Sequence, residues 1–324
     1  MLTRRHLITA SAACLAAGAT RAQAQADWPN RPVKVIVTYP PGGGADTTAR
    51  ILFQKLSEMS GKSFVIDNRG GAGGTIGAAV AAKSDPDGYT IMHDATAYSV
   101  NPVLYPKLSF DYAKDFEPVF LASLVPNLLV VTPSVEAKTV ADIVELAKKT
   151  PGGLDFASSG NGTLQHLCLE LLRFMAKVPI NHIPYRGGAL ALNDVIAGQV
   201  KYFFSNGSAS VGLVNGGQVK AIAHTGRGRL GTLPNLPAVQ DTIPGFEAYE
   251  WNGVFVPTGT SPEIVKKLNA GLNEVLRQPD VVARFTSLNI DFKENMPQEF
   301  RSFVAAETEK WGKVVRDAGI KLGS

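Results

Sequence analysis

The chain has 324 residues, of which 45% are hydrophobic and 19% charged, and 32 Lys and Arg against 28 Asp and Glu give a formal net charge of +4. This length suggests about two domains, and the apolar fraction excludes wholesale disorder. Two cysteines exclude a disulfide-rich scaffold and a zinc site held by cysteines. Beyond the N-terminal segment, the absence of a run of about 18 apolar residues excludes a polytopic membrane protein.

Residues 1–26 have the features of an export signal. Arg4 and Arg5 form a basic start, a mildly apolar run from Leu7 to Ala19 follows, and small residues suit cleavage near Ala24 or Ala26. The paired arginines favour twin-arginine export, with an ordinary Sec signal as the alternative. Export of this kind predicts a periplasmic protein.

Cleavage of this signal changes the charge of the protein. It removes three arginines, no acidic residue and Cys14, which leaves 29 basic residues against 28 acidic ones and Cys168 as the single cysteine. No basic stripe remains in the body of the chain, so a nucleic-acid or membrane-surface partner has little support.

The mature chain starts with a strand, a glycine loop, a helix and a second strand. The β-branched run Val33–Val37 predicts the first strand, and a helix is predicted from Asp46 to Ser60, where Gly61 ends it. Phe64–Ile66 predicts the next strand. This order is typical of a βαβ unit in a parallel sheet.

The pattern recurs along the chain. Further strands are predicted at Tyr89–Met92, Leu128–Val131, Leu154–Ala157, Ile180–Ile183, Lys201–Phe204 and Val219–Ile222. Helices are predicted at Val140–Lys149, from Thr163 to Met175, from Ser261 to Leu276 and from Phe300 to Val315. The chain is therefore predicted to be an α/β protein.

Two glycine loops precede helices and indicate a binding site. One runs from Pro41 to Thr47, and the other from Ser158 to Thr163. Ligands of open α/β sheets bind beyond the carboxyl ends of the strands, where helix N-termini offer free N–H groups to an anion. Glycine lets the backbone approach such a ligand closely. Two loops in the two halves of the chain suggest a cleft that closes on an anion, although each loop could also be a simple tight turn.

Other glycine patterns do not indicate nucleotide binding. The first loop lacks the G-x-G-x-x-G spacing because Thr47 stands at the third glycine position, and Gly61-Lys62-Ser63 lacks the first P-loop glycine because Leu56 occupies it. A third glycine run, Gly70–Gly77, is interpreted as close helix packing near the cleft.

Catalytic motifs give little support to an enzyme. No G-x-S-x-G or H-E-x-x-H pattern occurs, and Cys168 falls on an apolar helix face, which predicts a packed thiol. His166, in the first turn of its helix, is expected to be a neutral hydrogen-bonding group, with an exposed histidine as the alternative. Arg186, beside Tyr185, could bind a carboxylate or lie at the surface. No cofactor and no metal site is predicted.

Many short segments of this chain, in order and spacing, match one family. The sequence resembles, throughout its mature length, the substrate-binding proteins of tripartite tricarboxylate transporters, also called the Bug or TctC-like family. The matching segments are Trp28-Pro29, Arg31-Pro32-Val33, Pro41–Asp46, Asn68-Arg69, Gly71–Gly74, Asp87–Thr90, Asn101-Pro102, Leu104-Tyr105, Asp115-Phe116, Pro118-Val119, Ala157–Thr163 with His166, Pro184–Gly187, Gly198–Val200, Leu233-Pro234, Pro237, Pro257 and Gly259-Thr260.

The resemblance implies a two-domain periplasmic binding protein of the Venus-flytrap, type II-like class. Each domain would hold a mainly parallel sheet flanked by helices, with two crossovers between domains. Residues 27–125 and 246–324 would form one domain and residues 126–245 the other. The protein would be a monomeric receptor, not an enzyme, that passes a small carboxylate, such as a dicarboxylate, hydroxy acid or aromatic acid, to membrane permease subunits. A sensor subunit for a histidine kinase and, more remotely, a secreted hydrolase are the alternatives.

The resemblance also implies the ligand contacts, with one carboxylate held between the two glycine loops. Asp46 is expected to orient water or backbone. The expected contacts are Tyr39, Pro41, Gly42, Gly43, Gly44, Ala45, Asp46 and Thr47 from the first loop, Ser158, Ser159, Gly160, Asn161, Gly162, Thr163 and His166 from the second, and Asp94, Tyr185, Arg186, Ser205 and Asn206 elsewhere.

Three positions depart from the family pattern. Ser205 stands where members often carry an aspartate facing the distal end of the ligand, so an amino-acid ligand is disfavoured. Tyr98 could stack on an aromatic ligand or fill space, and His224 replaces a usual aliphatic residue.

Overall fold

The computed structural model describes residues 28–105, 107–317 and 319–321. The predicted export signal, its cleavage positions and Cys14 lie outside these residues. None of the helices within the described ranges has the length and apolar character that a membrane span requires.

Strands and helices alternate along most of the chain, as the sequence predicts. The strands are β1 (Val33–Val37), β2 (Phe64–Asn68), β3 (Thr90–Ala95), β4 (Phe116–Val131), β5 (Leu154–Ser158), β6 (Ile180–Pro184), β7 (Tyr202–Asn206), β8 (Lys220–His224) and β9 (Tyr249–Pro257). The α-helices are α1 (Gly44–Ser60), α2 (Thr75–Ala82), α3 (Ala97–Leu104), α4 (Val140–Lys149), α5 (Leu164–Ala176), α6 (Gly188–Ile196), α7 (Gly207–Asn215), α8 (Pro262–Leu276), α9 (Pro279–Ser287) and α10 (Pro297–Asp317).

The strands form a curled mixed sheet in the order β2-β1-β3-β9-β4-β7-β5-β6, with β8 also paired to β4. Pairing is parallel at both ends, where β1 lies between β2 and β3, and β5 lies between β6 and β7. It is antiparallel in the middle, where β9 and β4 pair with each other and with their neighbours. The α/β class is confirmed, and the parallel βαβ units lie on either side of an antiparallel centre.

The 16-residue strand β4 joins the two halves of the sheet. From Phe116 to Pro126 it pairs with β9, and from Asn127 to Val131 it pairs with β7 and β8. We call the part of the sheet with β1, β2, β3 and β9 the first lobe, and the part with β5 to β8 the second lobe. The domain division at residues 125/126 and 245/246 stays a prediction, and the change of strand partners along β4 falls beside the first of these boundaries.

Each lobe has its own apolar core, to which its helices contribute buried side chains. In the first lobe, Leu52 and Phe53 of α1 pack in one cluster with Leu268 and Leu272 of α8. In the second lobe, the apolar face of α5 packs in a cluster that includes the fully buried Cys168. Burial, and then the nearby Glu250 carboxyl, raises the pKa of this thiol. The prediction of a packed cysteine is therefore confirmed.

Candidate ligand-binding site

The first glycine loop ends where α1 begins. Gly43 is the N-cap residue and has no side-chain cap, so helix geometry leaves the N–H groups of the first turn without intrahelical partners. Asp46 Oδ2 accepts hydrogen bonds from Gly42 N and Arg50 Nε, both at 2.9 Å, and its Oδ1 accepts from Asn68 Nδ2 at 2.9 Å. The Asp46 carboxylate therefore orients the loop backbone, as expected.

The second glycine loop is held by its own side chains. Thr163 Oγ1 donates to Gly160 O at 2.7 Å, and Ser158 Oγ accepts from Gly160 N at 3.1 Å. Ser158 Oγ also lies 2.6 Å from His182 Nε2. These bonds fix the loop in the shape that presents the start of α5.

His166 stabilises this loop through a hydrogen bond and a ring contact. Its Nδ1 accepts a hydrogen bond from Gly162 N at 3.1 Å, and its ring stacks on His182 with 3.9 Å between ring centroids. Burial, followed by the nearby His182 and Arg173, lowers the pKa of His166 to about 3. The ring is therefore neutral, so its 3.9 Å contact with Glu170 is no ion pair. The predicted neutral hydrogen-bonding role is confirmed, and the side chain is only 2% exposed.

A cavity between the two loops brings together the N-termini of five helices of the described chain. Helix N-termini carry partial positive charge and free N–H donors, which favour an anion. Among the described residues, the lining includes a single charged side chain, the acidic Glu250. The helix starts contribute Gly43, Gly44 and Ala45 (α1), Thr96 and Ala97 (α3), Thr163, Leu164 and Gln165 (α5), Gly187 and Gly188 (α6) and Asn206 and Ala209 (α7); Tyr39, Pro40, Ala95, Ser159, Ser205 and Glu250 complete the lining.

The predicted contact residues fall into three groups. Eight of them line this cavity: Tyr39, Gly43, Gly44, Ala45, Ser159, Thr163, Ser205 and Asn206. A second cavity shares Tyr39, Pro40 and Ser159 with the first, and its lining includes Gly160, Asn161, Tyr185 and Arg186. The remaining predicted residues, Pro41, Gly42, Asp46, Thr47, Asp94, Ser158, Gly162 and His166, line neither cavity.

Tyr185 and Arg186 differ in their surroundings. Tyr185 donates its hydroxyl to Asp194 at 2.7 Å, and burial, followed by this hydrogen bond, raises the pKa of the phenol to about 12. Arg186 is exposed at the second cavity. Neither side chain lines the cavity of the five helix N-termini, so their contact with a ligand stays a prediction.

Asp94 lies behind the cavity wall. It is fully buried, and its Oδ1 accepts from Thr38 Oγ1 at 2.6 Å and from Ala95 N at 2.8 Å. Burial raises the pKa of this carboxyl to about 7. Its hydrogen bonds hold the strand end that carries the lining residue Ala95.

Glycines lie where the two lobes meet. A Cβ added to Gly44 would lie 2.4 Å from Asn206 Cγ, and one on Gly73 would lie 2.5 Å from Asn161 O. A Cβ on Gly187 would lie 3.0 Å from Pro40 Cγ. The third glycine run therefore packs against the second loop, which matches its interpretation as close packing near the cleft. In this structure the cleft is closed.

Two family departures lie away from the cavity lining. Tyr98 stacks on Phe255 with 4.2 Å between centroids, and its hydroxyl donates to Tyr112 O at 2.5 Å, so it fills the first-lobe core. His224 is fully buried at the end of β8, and burial lowers its pKa.

The sequence reasoning missed Gln165, Glu250 and the glycine pair at the start of α6. Gly187 and Gly188 belong to the motif from which Arg186 was selected, so the motif carried a signal for them as well. Glu250 carried no signal, because its strand was not predicted. Gln165 lay beside His166 on a predicted helix, but its orientation could not be read from spacing.

The chain is similar to known proteins along most of its length. Residues 48–320 match the family model described as "Tripartite tricarboxylate transporter family receptor". Protein BugT of Bordetella pertussis is 34% identical over 298 residues, covering 91% of each chain. A protein of Pseudomonas sp. strain P51, described as "UPF0065 protein in tcbD-tcbE intergenic region", is 36% identical over 314 residues, covering 96% of this chain and 94% of its own.

Solved structures show the same fold. An R. palustris protein solved with adipate is 36% identical, with a TM-score of 0.88 over 91% of this chain and 99% of its own. MatC of Rhodopseudomonas palustris, solved with bound malate, is 31% identical, with a TM-score of 0.84 over 89% of this chain and 100% of its own. The periplasmic binding protein BugD is 31% identical, with a TM-score of 0.87 over 91% of this chain and 99% of its own. The chain therefore belongs to the tripartite tricarboxylate transporter receptors, a family of periplasmic solute-binding proteins that are not enzymes.

Proposed function

We propose that this protein binds a small organic carboxylate in the closed cleft and delivers it to membrane permease subunits of a tripartite transporter. The observation that carries the proposal is the meeting of five helix N-termini at one cavity. Backbone N–H groups and helix dipoles can hold an anion without a lysine or arginine.

The polar groups of the cavity fit this ligand class. The N–H groups at the starts of α1 and α5 face the cavity from opposite lobes, so one carboxylate can accept hydrogen bonds from both. Asn206 is 5% exposed, and its side chain lies beside the Glu250 carboxyl group. Its Nδ2 carries two N–H donors, so a ligand oxygen can accept a hydrogen bond from it as well.

Thermal unfolding with a panel of acids tests carboxylate binding. A ligand at 100 times its Kd stabilises the folded state by about 2.7 kcal/mol, which raises Tm by several degrees. We expect this shift for at least one mono-, di- or tricarboxylate, hydroxy acid or aromatic acid. The neutral amide of the same acid should give no shift, because an amide lacks the negative charge that the helix N-termini favour. A panel without any shift would contradict the proposal.

Delivery to a permease needs a separate test. Cells that lack the gene for this chain should lose uptake of the acid that the binding panel identifies. Reintroduction of the wild-type gene should restore that uptake. Unchanged uptake in the deletion strain would remove the transport role while leaving carboxylate binding intact.

A further inference from the structure

One acidic side chain lines a cavity that is otherwise suited to an anion. Glu250 stands at the start of β9 and is 7% exposed. Among the described residues, no lysine, arginine or histidine lines the cavity with Glu250, and no ion pair includes it. The role of this buried carboxyl group therefore depends on the groups that it contacts.

The strand pairing places Glu250 next to the second lobe. Glu250 pairs with Val125, and Asn206 pairs with Asn127, on the same strand β4. Glu250 of β9 and Asn206 of β7 therefore meet at the point where β4 passes from one lobe to the other. The carboxyl group thus lies at the junction that closes around the ligand.

Glu250 has room for a further hydrogen-bond donor. Gln165 Nε2, from the first turn of α5, donates to Oε2. The Asn206 side chain also hydrogen-bonds to this carboxyl group. An ionised carboxylate only accepts hydrogen bonds and has about four lone-pair sites, so a donor from the ligand can add to these two.

Charge decides which ligands can supply this donor. A second ligand carboxylate would meet an ionised Glu250 as a like charge, and the described lining holds no lysine or arginine to offset it. A hydroxyl or ammonium group would instead donate to the carboxylate, and an ammonium would also neutralise the buried charge. Burial raises the pKa of Glu250, and the side-chain hydrogen bonds of Asn206 and Gln165 lower it by less, so a donor from the ligand would help to keep the carboxylate ionised.

Resting on the carboxylate-binding function proposed above, we propose that Glu250 determines ligand specificity by accepting a hydrogen bond from a hydroxyl or amino group of the bound acid. The protein would then select hydroxy- or amino-acid anions over unsubstituted acids and over diacids. This revises the inference drawn from Ser205, because a carboxyl group reaches the pocket from β9, on the other side of β4.

Calorimetric titration of matched acids tests this selection in the wild-type protein. At each chain length from three to six carbons, the probes are the unsubstituted acid, its 2- and ω-hydroxy and amino derivatives, and the α,ω-diacid. We expect the best hydroxy or amino derivative to bind at least tenfold more tightly than both its parent acid and the matching diacid. A diacid that binds more tightly than every hydroxy and amino derivative would overturn the proposal.

The variant Glu250→Gln separates specificity from structure. The glutamine can donate to a carboxylate and lacks the negative charge, so affinity for the best hydroxy or amino acid should fall at least tenfold while affinity for the diacid rises. A merely structural role would weaken all ligands alike. Glu263→Gln, which changes an exposed glutamate in the first turn of α8, is the matched control and should leave the ranking unchanged.

The outcomes distinguish this inference from the proposed function. If no acid binds the wild-type protein, carboxylate binding itself is contradicted. If acids bind and Glu250→Gln leaves their ranking unchanged, carboxylate binding stands and the role of Glu250 is refuted. Retained binding of the unsubstituted acid by the variant shows that its cleft is intact.

Discussion

The stacked rings of His166 and His182 stabilise the second glycine loop through hydrogen bonds to Gly162 N and Ser158 Oγ. Both rings are held neutral, since burial lowers the pKa of His182 to about 4 and that of His166 to about 3. Glu170 and Arg173 are the charged groups near His166, and they pair with each other. A proton on His166 would therefore have to enter a buried site in which the Glu170 carboxylate is already paired with Arg173.

This arrangement predicts a loss of stability in acid. Below about pH 6.5 the unfolded chain binds a proton at His166 that the folded protein does not, so stability falls as pH falls toward the folded pKa of about 3. At roughly 1.4 kcal/mol per pH unit for one proton, the loss between pH 7 and pH 5 is about 2 kcal/mol. His166→Asn keeps an acceptor for Gly162 N and removes this titration.

Urea unfolding of both proteins at pH 7 and pH 5 measures the effect. The wild type should lose about 2 kcal/mol more than His166→Asn between these pH values. Other histidines and buried carboxyls contribute to both proteins, so the difference between the two is the relevant quantity. Equal losses would show that His166 takes up its proton in the folded state.

At the level of secondary-structure elements, the structure contains the predicted βαβ units. The sequence did not predict the antiparallel centre of the sheet. Strand β9 is buried along nearly its whole length, so it lacks the alternation of polar and apolar residues that marks a half-exposed strand. The part of β4 that pairs with β9 contains Pro118 and Pro126, which argue against a central strand, and this pairing is irregular near Pro118. The sequence therefore predicted only the end of β4.

The same reasons limited what could be predicted of the site. The loops at Gly43 and Thr163 were predictable because a strand, glycines and a helix follow each other in sequence. Glu250 was not predictable, because its position in the cavity depends on β9 pairing with a strand more than a hundred residues earlier. Local sequence patterns thus identified the glycine-loop half of the cavity, for which anion binding is proposed, and missed the half that contains Glu250.

The second glycine loop should depend on the hydroxyl of Thr163. Thr163→Val removes the 2.7 Å hydrogen bond to Gly160 O, which then keeps only the 3.3 Å bonds from Thr163 N and Ser158 Oγ, at a cost of about 1 kcal/mol. The loop would then present the start of α5 less well, and ligand affinity should fall about fivefold. Thr163→Ser keeps the hydroxyl and should bind nearly as the wild type does. Equal titration curves for Thr163→Val and the wild type would show that the loop needs no such bond.

At the scale of the whole molecule, glycines allow the two lobes to touch. Gly44 belongs to α1 in the first lobe, and its backbone packs directly on the Asn206 side chain of the second lobe. Asn206 has little freedom to move away, because its Oδ1 accepts from Ser208 N at 2.9 Å and from Ser208 Oγ at 2.6 Å and so caps α7. The closed cleft therefore leaves no room for a side chain at residue 44.

Gly44→Ala should block closure while sparing each lobe. Gly44 has helical geometry without a positive φ, so alanine fits α1 itself, but its Cβ would lie 2.4 Å from Asn206 Cγ in the closed form. We expect the variant to fold with wild-type helix content and to bind the identified acid at least tenfold more weakly. Small-angle scattering should show the wild type becoming more compact with ligand and the variant remaining extended.

Gly212→Ala provides the matched control, because it adds the same methyl group to helix α7 at a position with nothing within 4 Å of the new Cβ. It should bind and close like the wild type, since helical alanine is at least as favourable as glycine. If Gly44→Ala also closes and binds normally, the Asn206 side chain must move and lose its capping hydrogen bonds to α7. The packing of Gly44 against Asn206 then does not limit closure. If Gly44→Ala loses binding and Gly212→Ala does not, closing the cleft requires the absence of a side chain at residue 44.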